Sequence, residues 1–220
     1  MVPLLIVGCG GHARVVLDAA LTADIFDPVG FIDDARPVGS LVDDLPVLGS
    51  TPMLEAIAAR YRGCQVIVAI GDNFVRSAVA GRLETSVSGI VFATVVDPTA
   101  AVSRRAVIGA GTMINAGSVV NPSSSTGRHV IINNSSSIAH DNHFGDFSST
   151  GPGVTTGGDV VVGAYTHIGI GATVSHGVKI GEHTVIGASA LVIRDTPSNV
   201  IVKGVPGKVV RDRESGERYL

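Results

Sequence analysis

From Val96 to Val192 a hydrophobic or β-branched residue returns at every sixth position: Val96, Val102, Ile108, Ile114, Val120, Thr126, Ile132, Ile138, Phe144, Thr150, Thr156, Val162, Ile168, Val174, Ile180, Ile186 and Val192. An α-helix repeats every 3.6 residues and a strand every two, so neither produces this beat. A period of six is that of a parallel β-helix, in which short strands form the coils of a prism. The residue after the beat is usually Gly, Asn, Ser or Ala, as at Gly109, Asn121, Gly145, Gly169 and Ser175. Four places after it sits another small or β-branched residue, such as Ser118, Ser136, Thr166 or Thr184. The pattern predicts beat side chains pointing inward and small residues at the corners, where Gly and Asn accept φ > 0. Coils of about 18 residues give five to six turns of prism. The register is unbroken, so any site must use coil faces, the N-terminal region or a neighbouring subunit.

Composition agrees with thin stacked coils. Hydrophobic residues make up 45% of the 220 residues, but aromatics only 4%, with no Trp. A net charge of −3 gives no general attraction to nucleic acid or a membrane surface. Two cysteines, Cys9 and Cys64, imply no disulfide framework and fit a reducing cytoplasm. The apolar start, Met1 to Val7, is too short for a signal peptide or a membrane span and predicts a buried first strand.

Residues 1–95 carry strand–helix alternation and predict a Rossmann-like parallel α/β sheet; residues 96–220 form the β-helix domain and its tail. Strands are expected at Leu4–Val7, Val29–Ile32, Gln65–Ile70 and Ile90–Val95, with a short edge strand at Pro46–Gly49. Helices are expected at Ala13–Leu21, Pro52–Tyr61 and Phe74–Leu83. The tail from Asn199 leaves the repeat. Gly8-Cys9-Gly10-Gly11-His12-Ala13 follows the first strand and opens a helix, a G-x-G-x-x-A turn. Glycines let the backbone approach a pyrophosphate, and a helix N-terminus favours its charge. Asp33 and Asp34 close the second strand, where a carboxylate accepts hydrogen bonds from a ribose or base. The competing reading is a tight turn with no ligand. NAD binding is disfavoured, because the region supplies only half of a dinucleotide-binding sheet. Gly71-Asp72-Asn73 ends the third strand beside the same crevice, as a ligand contact or a simple helix cap.

His140 and Asp141 stand two and three places after the beat residue Ile138, which puts both near an outer corner. A histidine beside a carboxylate suits general-base work, because the acid fixes the tautomer and stabilises the imidazolium. His176 repeats the phase of His140 but is followed by Gly177 rather than an acid, and none of the other histidines shows metal-ligand spacing, so no metal is expected.

The hexads, the segment Ser135 to Asp141 and Gly204-Val205-Pro206-Gly207-Lys208 resemble the hexapeptide-repeat acyltransferases. With Gly8 to His12, Phe31-Ile32-Asp33-Asp34 and Ala69 to Asn73, the likeness narrows to the nucleotide-sugar N-acetyltransferases of the bacillosamine and perosamine pathways. Sugar O-acyltransferases of the sialic acid type share the layout. The resemblance implies a homotrimer of left-handed β-helices, with acetyl-coenzyme A between adjacent subunits. It implies His140 as base and Asp141 as its partner, a position where several relatives carry Glu. It implies nucleotide-sugar contacts at Gly10, Gly11, His12, Asp33, Asp34 and Gly71. It also implies coenzyme A contacts at Gly158, Ile170, Ala188 and Ser149, the last a position where some relatives have histidine. Lys203, Lys208, Arg194 and Arg211 are candidates for the coenzyme's phosphates, with Lys208 taken into the site, against plain solvation of the charges.

The activity this implies is acetyl transfer from acetyl-coenzyme A to an amine of a UDP- or GDP-linked amino-deoxysugar in the cytoplasm. The alternative is O-acetylation of a sugar hydroxyl at the same site. A non-catalytic scaffold predicts no affinity for coenzyme A. A β-helix carbonic anhydrase would need three metal-binding histidines, whose spacing is missing.

Overall fold

The computed structural model describes residues 1–219. Its N-terminal part is a five-stranded sheet in the order β3-β4-β2-β1-β5, formed by β1 (Val2–Val7), β2 (Phe26–Ile32), β3 (Leu41–Val42), β4 (Leu45–Gly49) and β5 (Gln65–Val68). All pairings are parallel except the β3–β4 hairpin. Helices α1 (Gly11–Thr22), α2 (Leu54–Ala58) and α3 (Asn73–Ser86) connect the strands. The sheet is apolar on both sides, so β1 is buried continuously from Leu4 to Val7. The expected helix over Pro52–Tyr61 is shorter: a single 3₁₀ turn at Thr51–Met53 leads into α2.

One expected strand is not formed as predicted. Over Ile90–Val95 only Phe92 bridges to Val66 of β5. Val95–Val96 pairs instead with Met113–Ile114, the next coil of the prism. The chain is lifted off the sheet edge to begin the β-helix, and the 18-residue register overrides local strand propensity.

Beyond Val95, two-residue strands stack in three parallel faces. The first holds Met113, Ile131, Ser149, His167 and Val185; the second Val119, Ser137, Thr155, Thr173 and Leu191; the third Ser125, His143, Val161 and Lys179. Partners are 18 residues apart, as the beat requires. Beat residues fill the interior, with Ile114, Ile132, Val162, Ile168 and Ile186 fully buried. Three of the beat positions are threonines. Their hydroxyls accept hydrogen bonds from Gly109 N, Asn133 N and Ala139 N of the preceding coil, which lets a polar group sit in this core.

The corners differ from expectation in one respect. Positive φ falls three places after the beat, at His129, Ser135, Asp141, Phe147, Asp159, Tyr165, His183 and Ser189, not on the residue directly after it. Glycines directly after the beat answer a different demand: a Cβ at Gly109 would lie 2.2 Å from Gly127 O, and at Gly145 2.6 Å from Ala164 N. They are small because the next coil's backbone passes over them. From Thr112 to Ala190 the residues four after the beat are buried, and Ser118, Ser124 and Thr166 donate to carbonyls of the adjacent coil.

The tail does not leave the prism at Asn199. Val200–Lys203 adds to the first face, pairing Ile186 with Val202, so the last coil is two residues short. Lys208–Asp212 then returns antiparallel along it.

The N-terminal unit docks on the corner between the third and first faces. There His129, Phe147, Tyr165 and His183 stack with ring centroids 4.5–5.5 Å apart, and Phe92 meets His129 edge-on at 4.5 Å. Arg76 of α3 is fully buried beside this column. Its guanidinium donates to the carbonyls of Ile70, Gly71, His129 and Phe147 and to Asn73 Oδ1. Asn73 itself donates to the carbonyls of Tyr165 and Thr166.

Candidate functional site: a histidine–aspartate corner and an interdomain cavity

Asp141 adopts φ 59°, which folds its carboxylate back onto the preceding side chain. His140 Nδ1 lies 2.7 Å from Asp141 Oδ2. With Nδ1–H donating to the acid, Nε2 keeps its lone pair. Both side chains are more than half exposed. The ring lies over Gly158 of the next coil, where a Cβ would sit 2.5 Å from its Cε1 and 2.7 Å from Nε2. Gly158 therefore provides the space the imidazole occupies. Asn142, buried, donates through Nδ2 to the carbonyls of Ala139, His140 and Gly157 and so fixes the corner's backbone. Its role was not visible in sequence, because its partners lie partly one coil away.

A second feature is a cavity of about 480 Å³ over the first face, beneath the N-terminal unit. It joins His12 and Gly71 to Ser149, Ile170 and Ala188, bringing together residues expected to contact sugar nucleotide and coenzyme A. Lys203 lines it; the predicted Lys208 does not, and lies exposed on the returning strand. Ser149 Oγ is 2.8 Å from His167 Nδ1. Tyr219, which sequence reasoning missed, stacks on His167 at 4.5 Å, and its hydroxyl accepts from Asn73 N at 3.0 Å. Burial, followed by the charge of Arg76, pushes both His12 and His167 down to about 4, so both are neutral near pH 7. Burial also raises the Tyr219 phenol.

The remaining predicted residues lie elsewhere. Asp33 and Asp34 line a separate crevice of about 240 Å³ at the carboxyl ends of β1 and β2, with Gly8 and Arg82. Asp33 Oδ1 already accepts from Ala35 N and Arg36 N, and Asp34 Oδ1 from Thr51 N. Cys9 adjoins Asp33, and burial, then that carboxylate, raises its thiol to about 11. Gly10 and Gly11 open α1 with nothing near the position a Cβ would take and no side-chain cap. They present bare backbone, as a phosphate site requires.

Within one chain the two features do not meet. His140 and Gly158 lie on the corner between the second and third faces, whereas Ile170 and Ala188 lie on the corner between the first and second. A whole prism face separates them.

Residues 3–83 match the PglD N-terminal domain family, and residues 159–194 match the bacterial transferase hexapeptide family of six repeats. The acetyltransferase domain of PglB from Neisseria gonorrhoeae FA1090 is 30% identical, with 94% of this chain and 99% of that chain covered and a TM-score of 0.88. The same domain in complex with acetyl coenzyme A is 29% identical, with 94% and 98% covered and a TM-score of 0.88. A histidine variant of GDP-perosamine N-acetyl transferase from Caulobacter crescentus, in complex with CoA and GDP-perosamine, is 32% identical, with 96% and 97% covered and a TM-score of 0.86. A search of curated proteins returned no match. The chain belongs to the PglD-type hexapeptide-repeat acyltransferases. Its prism is the left-handed β-helix of these acyltransferases. Among the described residues no helix is long and apolar enough to cross a membrane, and no group of three His, Cys, Asp or Glu side chains could hold a metal ion.

Proposed function

We propose that this acyltransferase moves the acetyl group of acetyl-coenzyme A to the amino group of a nucleotide-linked amino-deoxysugar in the cytoplasm. His140 is the general base, Asp141 orients it, and the site forms between subunits of a homotrimer. The observation that carries this reading is the His140–Asp141 pair at 2.7 Å, held exposed on a corner that its own chain's cavity does not reach. Such a base has work to do only against a neighbouring copy's cavity. The relatives bound to acetyl coenzyme A, or to CoA and GDP-perosamine, support the choice of donor and acceptor.

The cavity fits the donor chemically. Val185, Ile170 and Ala188 offer an apolar track for a slender pantetheine arm, and Lys203 supplies a cation for a phosphate. Ile170 is 60% exposed in the single chain, an unsatisfied apolar contact on the rim. The acceptor's nucleotide belongs against the bare amides of Gly10 and Gly11 and the carboxylates of Asp33 and Asp34, with the sugar directed toward His12 and Gly71. In the reaction the amine nitrogen bonds to the thioester carbonyl carbon. His140 Nε2 accepts the proton the nitrogen must lose, and Asp141 stabilises the resulting imidazolium. The carbon–sulfur bond then breaks, and the thiolate leaves with that proton, restoring neutral His140.

The test is to incubate the protein with acetyl-coenzyme A and UDP-, GDP- and dTDP-linked amino sugars, following free thiol and product mass. An alkali-stable acetylated product is expected. Thiol release with none of them would reject the reading, and an alkali-labile product would replace the amine with a hydroxyl acceptor.

A further inference from the structure

Residues 213–219 lead Tyr219 to the cavity. After the Lys208–Asp212 strand the segment turns back toward the N-terminal unit. Arg213, buried, donates to the carbonyls of His183 and Glu217, and Arg211 pairs with the Glu217 carboxylate. Gly216, at φ 79°, packs on the Phe74 ring of α3. These contacts deliver Tyr219 to the cavity wall. One face of its ring stacks on His167, Arg213 stands 5.8 Å from the ring centroid, and the hydroxyl is held by Asn73 N. The ring is thus fixed by the prism, α3 and the tail together, beside the Ser149–His167 pair.

We propose that Tyr219 is a specificity-determining residue: its fixed ring closes the cavity beside Ser149 and limits the transferred acyl group to a short one. This inference rests on the acetyltransferase reading above and on Ser149, an expected coenzyme A contact that lines the same cavity as Tyr219. A rigid aromatic wall discriminates by size, because it cannot yield to an extra methylene without losing its stack and its hydrogen bond. A hydrophobic wall of this kind distinguishes neighbouring chain lengths by roughly 10–200-fold.

The experiment compares kcat/KM for acetyl-, propionyl- and butyryl-coenzyme A in the wild type, Tyr219→Phe, Tyr219→Leu and Tyr219→Ala, with thermal unfolding of each as a check on folding. The wild type should favour acetyl over butyryl by at least about 10-fold. Tyr219→Phe should keep that ratio, because the ring remains. Tyr219→Ala and Tyr219→Leu should reduce it by about 10-fold, mainly through KM for the longer donors. Folded, active Ala or Leu variants with the wild-type ratio would overturn the inference while leaving the acetyltransferase reading intact. A wild type that turns over no acyl donor would remove that reading and this inference with it.

Discussion

Gly158→Ala should cost about two orders of magnitude in kcat/KM and almost nothing in stability. The new Cβ would stand 2.5 Å from Cε1, 2.7 Å from Nε2 and 3.0 Å from Nδ1 of His140. The backbone has no positive φ there, so alanine itself is unstrained. The imidazole is half exposed and gives way by about 1 Å, at an off-rotamer cost of roughly 0.5–1.5 kcal/mol. Alanine's smaller unfolded-state entropy offsets roughly 0.4–1 kcal/mol of that. A displacement of about 1 Å in a catalytic group costs about 100-fold in rate. That corresponds to about 2.7 kcal/mol of transition-state stabilisation. Steady-state kinetics and thermal unfolding on the same preparations separate the two effects. The His140→Ala/Gly158→Ala double variant should be no slower than His140→Ala alone, because both changes act through one ring. A Gly158→Ala enzyme within twofold of wild type, or a double variant with additive losses, would refute the placement of the base over Gly158.

His140→Ala should lower kcat/KM by about 10²–10⁴, measured with saturating acetyl-coenzyme A. Arg76→Met should destabilise the fold by about 3–5 kcal/mol in urea unfolding, because five buried or partly buried acceptors lose their donor together. His12, His129 and His167 sit near 4 in the folded chain, against 6.5 when unfolded. Below pH 6.5 the unfolded chain therefore binds more protons, so stability should fall as pH drops from about 6.5 to 4. The urea midpoint at pH 5 should be lower than at pH 7.5. His129→Phe should weaken that dependence, since it keeps the stacked ring and removes two buried, unpartnered nitrogens. A midpoint independent of pH would contradict these buried neutral histidines.

Much of this protein is legible in its sequence because a repeat converts long-range contact into local spacing. The beat at Ile114, Ile132, Ile168 and Ile186 names the core residues, and His140-Asp141 carries its hydrogen bond between neighbours in the chain. What stayed hidden depends on contacts without a period. Tyr219 meets Asn73 across 146 positions, and Arg76 meets His129 across 53. Lys203, on the strand that extends the first face, reaches the cavity, whereas Lys208 lies on the strand that returns antiparallel beside it, a pairing without a period. The glycines after each beat were rightly expected to be small but for the wrong reason, since a neighbouring coil's approach leaves no mark on a residue's own local sequence.

In the proposed enzyme the base of one subunit serves the cavity of another. Ala188→Trp fills the cavity and leaves that chain's own His140 in place, while His140→Ala does the reverse. Each variant alone should be nearly inactive. Refolded together at equal amounts, trimers should regain about one quarter of wild-type activity, the chance that an intact cavity faces an intact base on the next subunit. Activity that stays at the level of the separate variants, in mixtures shown to contain hybrid trimers, would contradict a site shared between subunits.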